Sequence, residues 1–172
     1  MASADLDPTR LIRDFNNLPR SEYAPLGEAA DAPNRSHISL RNIPSDPSSD
    51  VLFIINPTSR SIQYVEALPP DTVSESTALK AGVWSLLLLK AWTQTENGPP
   101  KVRPWTWDCS DAEMAGALSE TFRGIGVQEP SSVGVAGKDD NEIADEAWAC
   151  FIENLIQYQS ANWKRGCHES LM

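Results

Sequence analysis

The chain has 172 residues, about the length of one domain, and carries a formal charge of -10. Such an acidic balance repels phosphate backbones and anionic lipids, so the sequence predicts no nucleic-acid partner and no membrane surface. Three widely spaced cysteines and an N-terminus without an apolar secretory segment predict an intracellular protein, cytoplasmic or nuclear.

Residues 1–50 alternate short apolar groups with turn formers, which predicts a partly irregular N-terminal arm that docks on the core. Asp7 and Pro8 indicate the start of a short helix. Its apolar residues share one face: Leu11, Ile12, Phe15 and Leu18. Residues 37–43 alternate with period two, which is typical of an edge strand. The arm either covers the main sheet or presents a motif that binds a partner.

The predicted α/β domain covers residues 51–158 and opens with two strands, at 51–55 and 61–68. So short a connection requires the two strands to be antiparallel, because a parallel pair needs a longer crossover. The next stretch, 74–94, is a helix that is apolar on almost every side, with Ser74 as its N-cap. Such a helix is stable when other elements cover it on both sides.

A strand that ends near Cys109 leads into a second helix, predicted from the capping box Ser110 to Glu113 and ended by Gly124. A short strand at 132–135 follows. The last helix is predicted from residue 138 to about 158 as a sheet-packing helix, and residues 159–172 as a flexible tail.

This order of hairpin, helix, strand, helix, strand, helix predicts an α/β protein with a mixed sheet and helices on the sheet faces. It resembles the ribonuclease-H-like fold. Residues 51–156 also resemble an uncharacterised α/β domain of fungal proteins that carry a MYND-type zinc finger, with bacterial relatives. The resemblance rests on the hairpin VLFIINPTSRSIQYVEAL, the long helix, and a Pro-Trp strand that runs into DCSDAEMAGALSETFRGIGV. It implies no activity, because none of these features is a reacting group.

A nuclease with this fold needs several carboxylates around two metal ions. Asp108 fits the end of a parallel strand, and Glu66 and Glu113 are further carboxylates for such a site; otherwise Asp108 is a turn or capping residue. The strand at 51–55 has no acid and ends in Asn56, a neutral ligand that offsets divalent charge poorly. Neither a zinc-ligand pair nor a glycine-rich nucleotide loop stands out, so the sequence predicts no metal and no cofactor.

The two histidines, His37 and His168, lack a well-placed nucleophile, because Cys167 beside His168 lies in the predicted tail. The sequence therefore predicts no catalytic residue.

Two groups of residues are candidates for binding a partner. Trp105 and Trp107 are two apart on a predicted strand and face the same side, either as core residues or as an exposed aromatic patch. Asp139, Asp140 and Glu142 begin the last helix, either as a solvated N-terminus or as a docking patch for a basic partner.

The scarcity of reacting groups favours a non-catalytic protein-interaction or scaffold domain over an enzyme. The alternative is a metal-dependent hydrolase or nuclease with its site near Asp108. A third hypothesis is a homodimer, or a larger assembly, formed through a hydrophobic helix face.

Overall fold

The described residues form an open, five-stranded mixed sheet with four α-helices and one 3-10 turn, which confirms the α/β class. The computed structural model describes residues 7–24, 31–44, 48–94, 96, 99 and 101–169, without the side chains of 73 and 161–169. The strands are β1 Arg35–Ile43, β2 Ser49–Asn56, β3 Ser61–Ala67, β4 Thr106–Cys109 and β5 Val133–Val135. The helices are α1 Pro8–Asn16, α2 Thr77–Gln94, α3 Ala112–Ile125 and α4 Lys138–Glu169, and Pro70–Ser74 is the 3-10 turn.

The strand order across the sheet is β3-β2-β1-β4-β5. β1, β2 and β3 are antiparallel neighbours, which confirms the hairpin predicted from residue 51 to residue 68. β4 is parallel to β1 and to β5.

The prediction of an edge strand at residues 37–43 is wrong, because β1 lies in the middle of the sheet between β2 and β4. The alternating pattern does not indicate this central position, because β4, the strand that pairs with the first residues of β1, lies far along the chain. The predicted boundary between the arm and the α/β domain, after residue 50, falls inside β2. It places β1, the middle strand of the sheet, in the arm.

One face of the sheet carries the larger apolar core, covered by α1, α2 and α3. Trp107 lies at its centre, stacked on Phe122 at 4.7 Å and on Phe15 at 5.7 Å between ring centroids. The predicted N-terminal helix is confirmed as α1, since Asp7 caps it and both Leu11 and Phe15 are fully buried. As predicted, α2 is covered by neighbours, with α1 and α3 on its two sides.

The opposite face of the sheet is covered by α4. Its apolar contacts form a smaller cluster in which Phe53, Ile55 and Ala144 are buried and Trp148 is partly buried. The helix continues to Glu169 instead of ending near residue 158. No proline follows to break the ladder of backbone hydrogen bonds, so the predicted tail from residue 159 includes helix.

Two helix starts differ from the predicted caps. Ser74 belongs to the 3-10 turn, and α2 begins at Thr77. In α3 the cap is Asp111, whose Oδ1 accepts from the Met114 N–H at 2.7 Å, so the predicted box beginning at Ser110 is shifted by one residue. That helix ends at Gly126, which has φ +86° and takes the left-handed conformation that favours glycine. The predicted stop, Gly124, lies inside the helix.

Candidate functional site

Asp108 lies in a polar network that joins β1, β4 and α4. The parallel register places it opposite His37, and its Oδ1 lies 2.7 Å from His37 Nδ1. Its other oxygen accepts from the Arg35 guanidinium at 3.5 Å, and the same guanidinium also binds Asp140 of α4. Asp108 therefore ties two strands to one helix, whereas Asp111 has the capping role.

The His37 side chain is completely buried. Its Nε2 has no hydrogen-bond partner in the part of the chain that the structure describes. A histidine that pairs with a carboxylate through Nδ1 resembles half of a catalytic triad, but a substrate cannot reach Nε2 in this structure. Sequence reasoning missed the pair because its members are 71 residues apart and meet through strand pairing.

The three carboxylates of the alternative site are not brought together. Glu66 accepts from Lys90 of α2 at 3.3 Å, and Glu113 accepts from the Thr77 hydroxyl at 2.7 Å, so both lie on the side of α2 and α3. Asp108 faces α4, and the sheet separates it from the other two. Among the described residues, no group of three or more His, Cys, Asp or Glu side chains could hold a metal ion.

The acidic start of α4 is partly used to hold the helix on the sheet. Asp140 pairs with Arg35, and further along the helix Asp145 lies 2.6 Å from Arg41 and Glu146 lies 2.7 Å from Arg60. These carboxylates therefore serve internal contacts. The other two predicted interaction residues, Asp139 and Glu142, are exposed, and Glu142 forms an ion pair with Lys138.

The two tryptophans of the predicted aromatic patch lie in different environments. Trp107 is 2 % exposed and belongs to the core, whereas Trp105 is 39 % exposed. The strand begins only at Thr106, so the alternation that would place both rings on one face does not extend back to Trp105. The two rings therefore do not form one exposed surface.

Trp105 instead pairs with an arginine from the N-terminal segment. The Arg20 guanidinium carbon lies 4.1 Å from the centre of the Trp105 ring, which is a cation–π arrangement. The same guanidinium donates to the Trp105 carbonyl at 3.1 Å. Arg20 also forms an isolated parallel bridge with Arg103, whose N–H donates to the Pro19 carbonyl at 2.7 Å.

Asn34 links this region together. Its buried side-chain amide donates to the carbonyls of Ser21 and Arg103, at 3.0 and 2.9 Å. Its backbone carbonyl accepts from the Trp105 N–H at 2.8 Å. The chain next to Ser21 carries Tyr23, which is 54 % exposed. Arg20, Tyr23, Arg103 and Trp105 are called the Arg20–Trp105 surface below.

The Arg20–Trp105 surface is positively charged in an acidic chain. The side chain of Arg103 donates to the carbonyls of Leu18 and Glu129, each at 2.9 Å. Partial burial, together with the nearby Arg20 charge, lowers the pKa of Arg103. Among the described residues, no carboxylate forms an ion pair with Arg20 or Arg103. Sequence reasoning missed both arginines, and the one local signal was the position of Arg103 beside the Pro-Trp pair.

The thiols Cys109 and Cys150 are both free. Cys109 is buried, and burial raises its pKa to about 11, so the thiol stays protonated and unreactive at neutral pH. Cys150 is exposed on α4.

Comparisons of the chain with protein-family models, with curated proteins and with solved structures find no match. Of the helices in the described ranges, none is both long and apolar enough to cross a membrane.

Proposed function

We propose that this chain is a non-catalytic protein-interaction domain and that a partner binds at the Arg20–Trp105 surface. The observation that carries the proposal is the exposed Arg20 guanidinium held 4.1 Å from the centre of the exposed Trp105 ring. Tryptophan, tyrosine and arginine are the residue types enriched among the few that dominate binding energy in protein interfaces. Arg20 and Trp105 contact each other here, and the exposed Tyr23 lies three residues along the chain from Arg20.

The order of the surface also favours binding. The backbone of Trp105 is held by its N–H donating to the Asn34 carbonyl, and the Arg20 side chain is held by donating to the Trp105 carbonyl while it lies over the Trp105 ring. Side chains that are fixed before association lose less conformational freedom when a partner binds. This surface therefore offers anchors that are already in place.

We further propose that the fold is ribonuclease-H-like. The strand arrangement supports this assignment. β1, β2 and β3 are antiparallel neighbours, and β4 and β5 follow parallel to β1. In such a fold, β1 would be the strand that contributes a metal-binding acid, but this β1 contains no carboxylate and places His37 beside Asp108. The sequence resemblance to the domain of fungal MYND-finger proteins and the intracellular location stay predictions.

The test of the interaction function is a display selection of short random peptides on the purified chain. We expect the wild-type chain to enrich peptides that the Trp105→Ala variant does not retain, because the aromatic anchor is lost. Leu79→Ala is the matched control, since Leu79 is a 59 % exposed apolar residue on α2. Thermal unfolding verifies that each variant is folded. Peptides retained equally by wild type and by Trp105→Ala would contradict the proposal.

A further inference from the structure

The two guanidinium groups of the Arg20–Trp105 surface have most of their hydrogen-bonding capacity unused. A guanidinium carries five N–H donors. Arg20 donates one hydrogen bond, to the Trp105 carbonyl, and Arg103 donates two, to the carbonyls of Leu18 and Glu129. The remaining donors have no acceptor among the described residues. Both groups can therefore still bind a planar acceptor such as a carboxylate.

The two arginines also lie on adjacent backbone segments. The parallel bridge sets the backbones of Arg20 and Arg103 side by side, and the Arg20 charge contributes to lowering the pKa of Arg103. Two like charges held together disfavour each other, and a bound anion relieves that repulsion. A carboxylate bound near both guanidinium groups would therefore be stabilised by both charges.

The arginines that face α4 show the contrast. Arg35, Arg41 and Arg60 each pair with a carboxylate of that helix. Glu22 and Glu129 are exposed and come from the segments that surround the Arg20–Trp105 surface, yet within the described ranges neither forms an ion pair with Arg20 or Arg103. Within the described ranges, Arg20 and Arg103 therefore have no carboxylate partner and can pair with carboxylates of another molecule.

We infer that the segment bound at the Arg20–Trp105 surface is an acidic peptide of a partner protein, an inference that rests on the proposed interaction function. Carboxylates bind the guanidiniums of Arg20 and Arg103, and an apolar side chain packs against Trp105. The planar guanidinium matches a carboxylate in two parallel hydrogen bonds. The net charge of -10 repels any anion, and the repulsion grows with the number of charges, so a short peptide with a few carboxylates fits better than a long row of phosphates.

The experiment uses the peptides that display selection isolates on the full chain, sorted by their dependence on Trp105. We expect these peptides to be rich in Asp and Glu. Replacing those residues by Asn and Gln is expected to weaken binding about tenfold in fluorescence anisotropy, since each charge-assisted pair is lost. Added salt is expected to weaken the binding of the acidic peptides and to leave the binding of their Asn and Gln versions nearly unchanged.

Variants of the chain test the same contact from the other side. Arg20→Gln is expected to lower the affinity for the acidic peptides about fivefold. Arg20→Lys is expected to lower it less, because lysine keeps the charge but cannot form the two parallel hydrogen bonds of a planar guanidinium. Arg123→Gln is the matched control. Arg123 is an exposed arginine that donates to one backbone carbonyl, that of Ser119, so its replacement makes the same change in charge elsewhere.

The outcomes separate the inference from the function on which it rests. Peptides that need Trp105 but are neutral or basic, and that tolerate Arg20→Gln, would overturn the acidic partner and leave the interaction function intact. Failure to isolate any peptide that depends on Trp105 would overturn both. A single-stranded oligonucleotide that displaces the acidic peptides and binds more tightly would replace the peptide with a nucleic acid.

Discussion

The two faces of the sheet are held to their helices in different ways. On the face of α1, α2 and α3, the aromatic rings of Phe15, Trp92, Trp107 and Phe122 pack together in one continuous apolar core. On the face of α4, a smaller apolar cluster lies beside a network of ion pairs centred on Arg35 and Asp108. One face is stabilised mainly by packing, and the other depends on the pairing of buried and half-buried charges.

The difference matters because packing and charge pairing respond to substitution differently. Apolar burial adds a favourable free energy for each group removed from water. A buried ion pair contributes little net stability, but removal of one partner leaves an uncompensated charge and is costly. The contributions of the two faces to stability can therefore be measured separately. One substitution removes apolar volume from the packed face, and another removes a charge from the face of α4.

The largest expected effect comes from the packed face. Trp107→Ala removes a side chain that is 2 % exposed and stacks on two rings. We expect the free energy of unfolding to fall by about 3–5 kcal/mol in urea denaturation, because the cavity is surrounded by rigid neighbours. Trp105→Ala is the control for loss of a tryptophan, with an expected change below about 1 kcal/mol. Similar losses in both variants would show that the core is not centred on Trp107.

A smaller effect is expected on the polar face. Asp108→Asn keeps the shape of a side chain that is 12 % exposed but removes the charge that faces Arg35 and His37. We expect a loss of about 2 kcal/mol in the free energy of unfolding. The loss is limited because the Arg35 charge is still paired with Asp140. The exposed Asp139→Asn provides the control on α4. An unchanged stability in Asp108→Asn would mean that the network contributes nothing beyond its apolar surroundings.

At neutral pH the smallest effect comes from a titratable group within the packed face, because the Cys109 thiol is protonated there in both the folded and the unfolded state. Burial raises the pKa of Cys109 from 9.0 to about 11, so the folded state holds the thiol proton more tightly than the unfolded state does. The resulting stability is present below pH 9 and is lost as the pH rises through 11, by about 2–3 kcal/mol for two pKa units. The free energy of unfolding, measured from pH 9 to pH 11, should therefore fall more steeply with pH for the wild type than for Cys109→Ala. Parallel curves would exclude this linkage.

Local patterns predicted the elements that depend on local sequence. The helix capped by Asp7, the hairpin of β2 and β3, and the apolar α2 each follow from neighbouring residues, and all are present. The central position of β1 could not be predicted, because it is set by pairing with β4. Helix starts were misplaced by one to three residues, since several Ser and Asp residues compete to cap the same turn.

The candidate site was partly visible in the same way. Trp105 stood out as one of two closely spaced tryptophans, and its pairing with Arg20 did not, because 85 residues separate them. The sequence predicts Asp108 as a metal-site candidate or a turn residue, but not its partners: His37 begins a strand predicted at the edge, and Arg35 lies outside that predicted strand. Alternation in sequence gives the face of a side chain and not the strand that lies beside it.

The parallel pairing of β1 with β4 also sets the order in which the chain can fold during synthesis. β1 emerges early from the ribosome, but the strand that completes its second edge follows about 70 residues later. Until then β1 exposes unpaired backbone groups, and Leu11 and Phe15 lack the Trp107 and Phe122 rings on which the apolar core closes. Because α1 also packs against α2, we expect the N-terminal helix to begin docking on α2 and to complete its contacts only after β4 and α3 are made. We also expect slow folding for a chain of this size, since these contacts are distant in sequence.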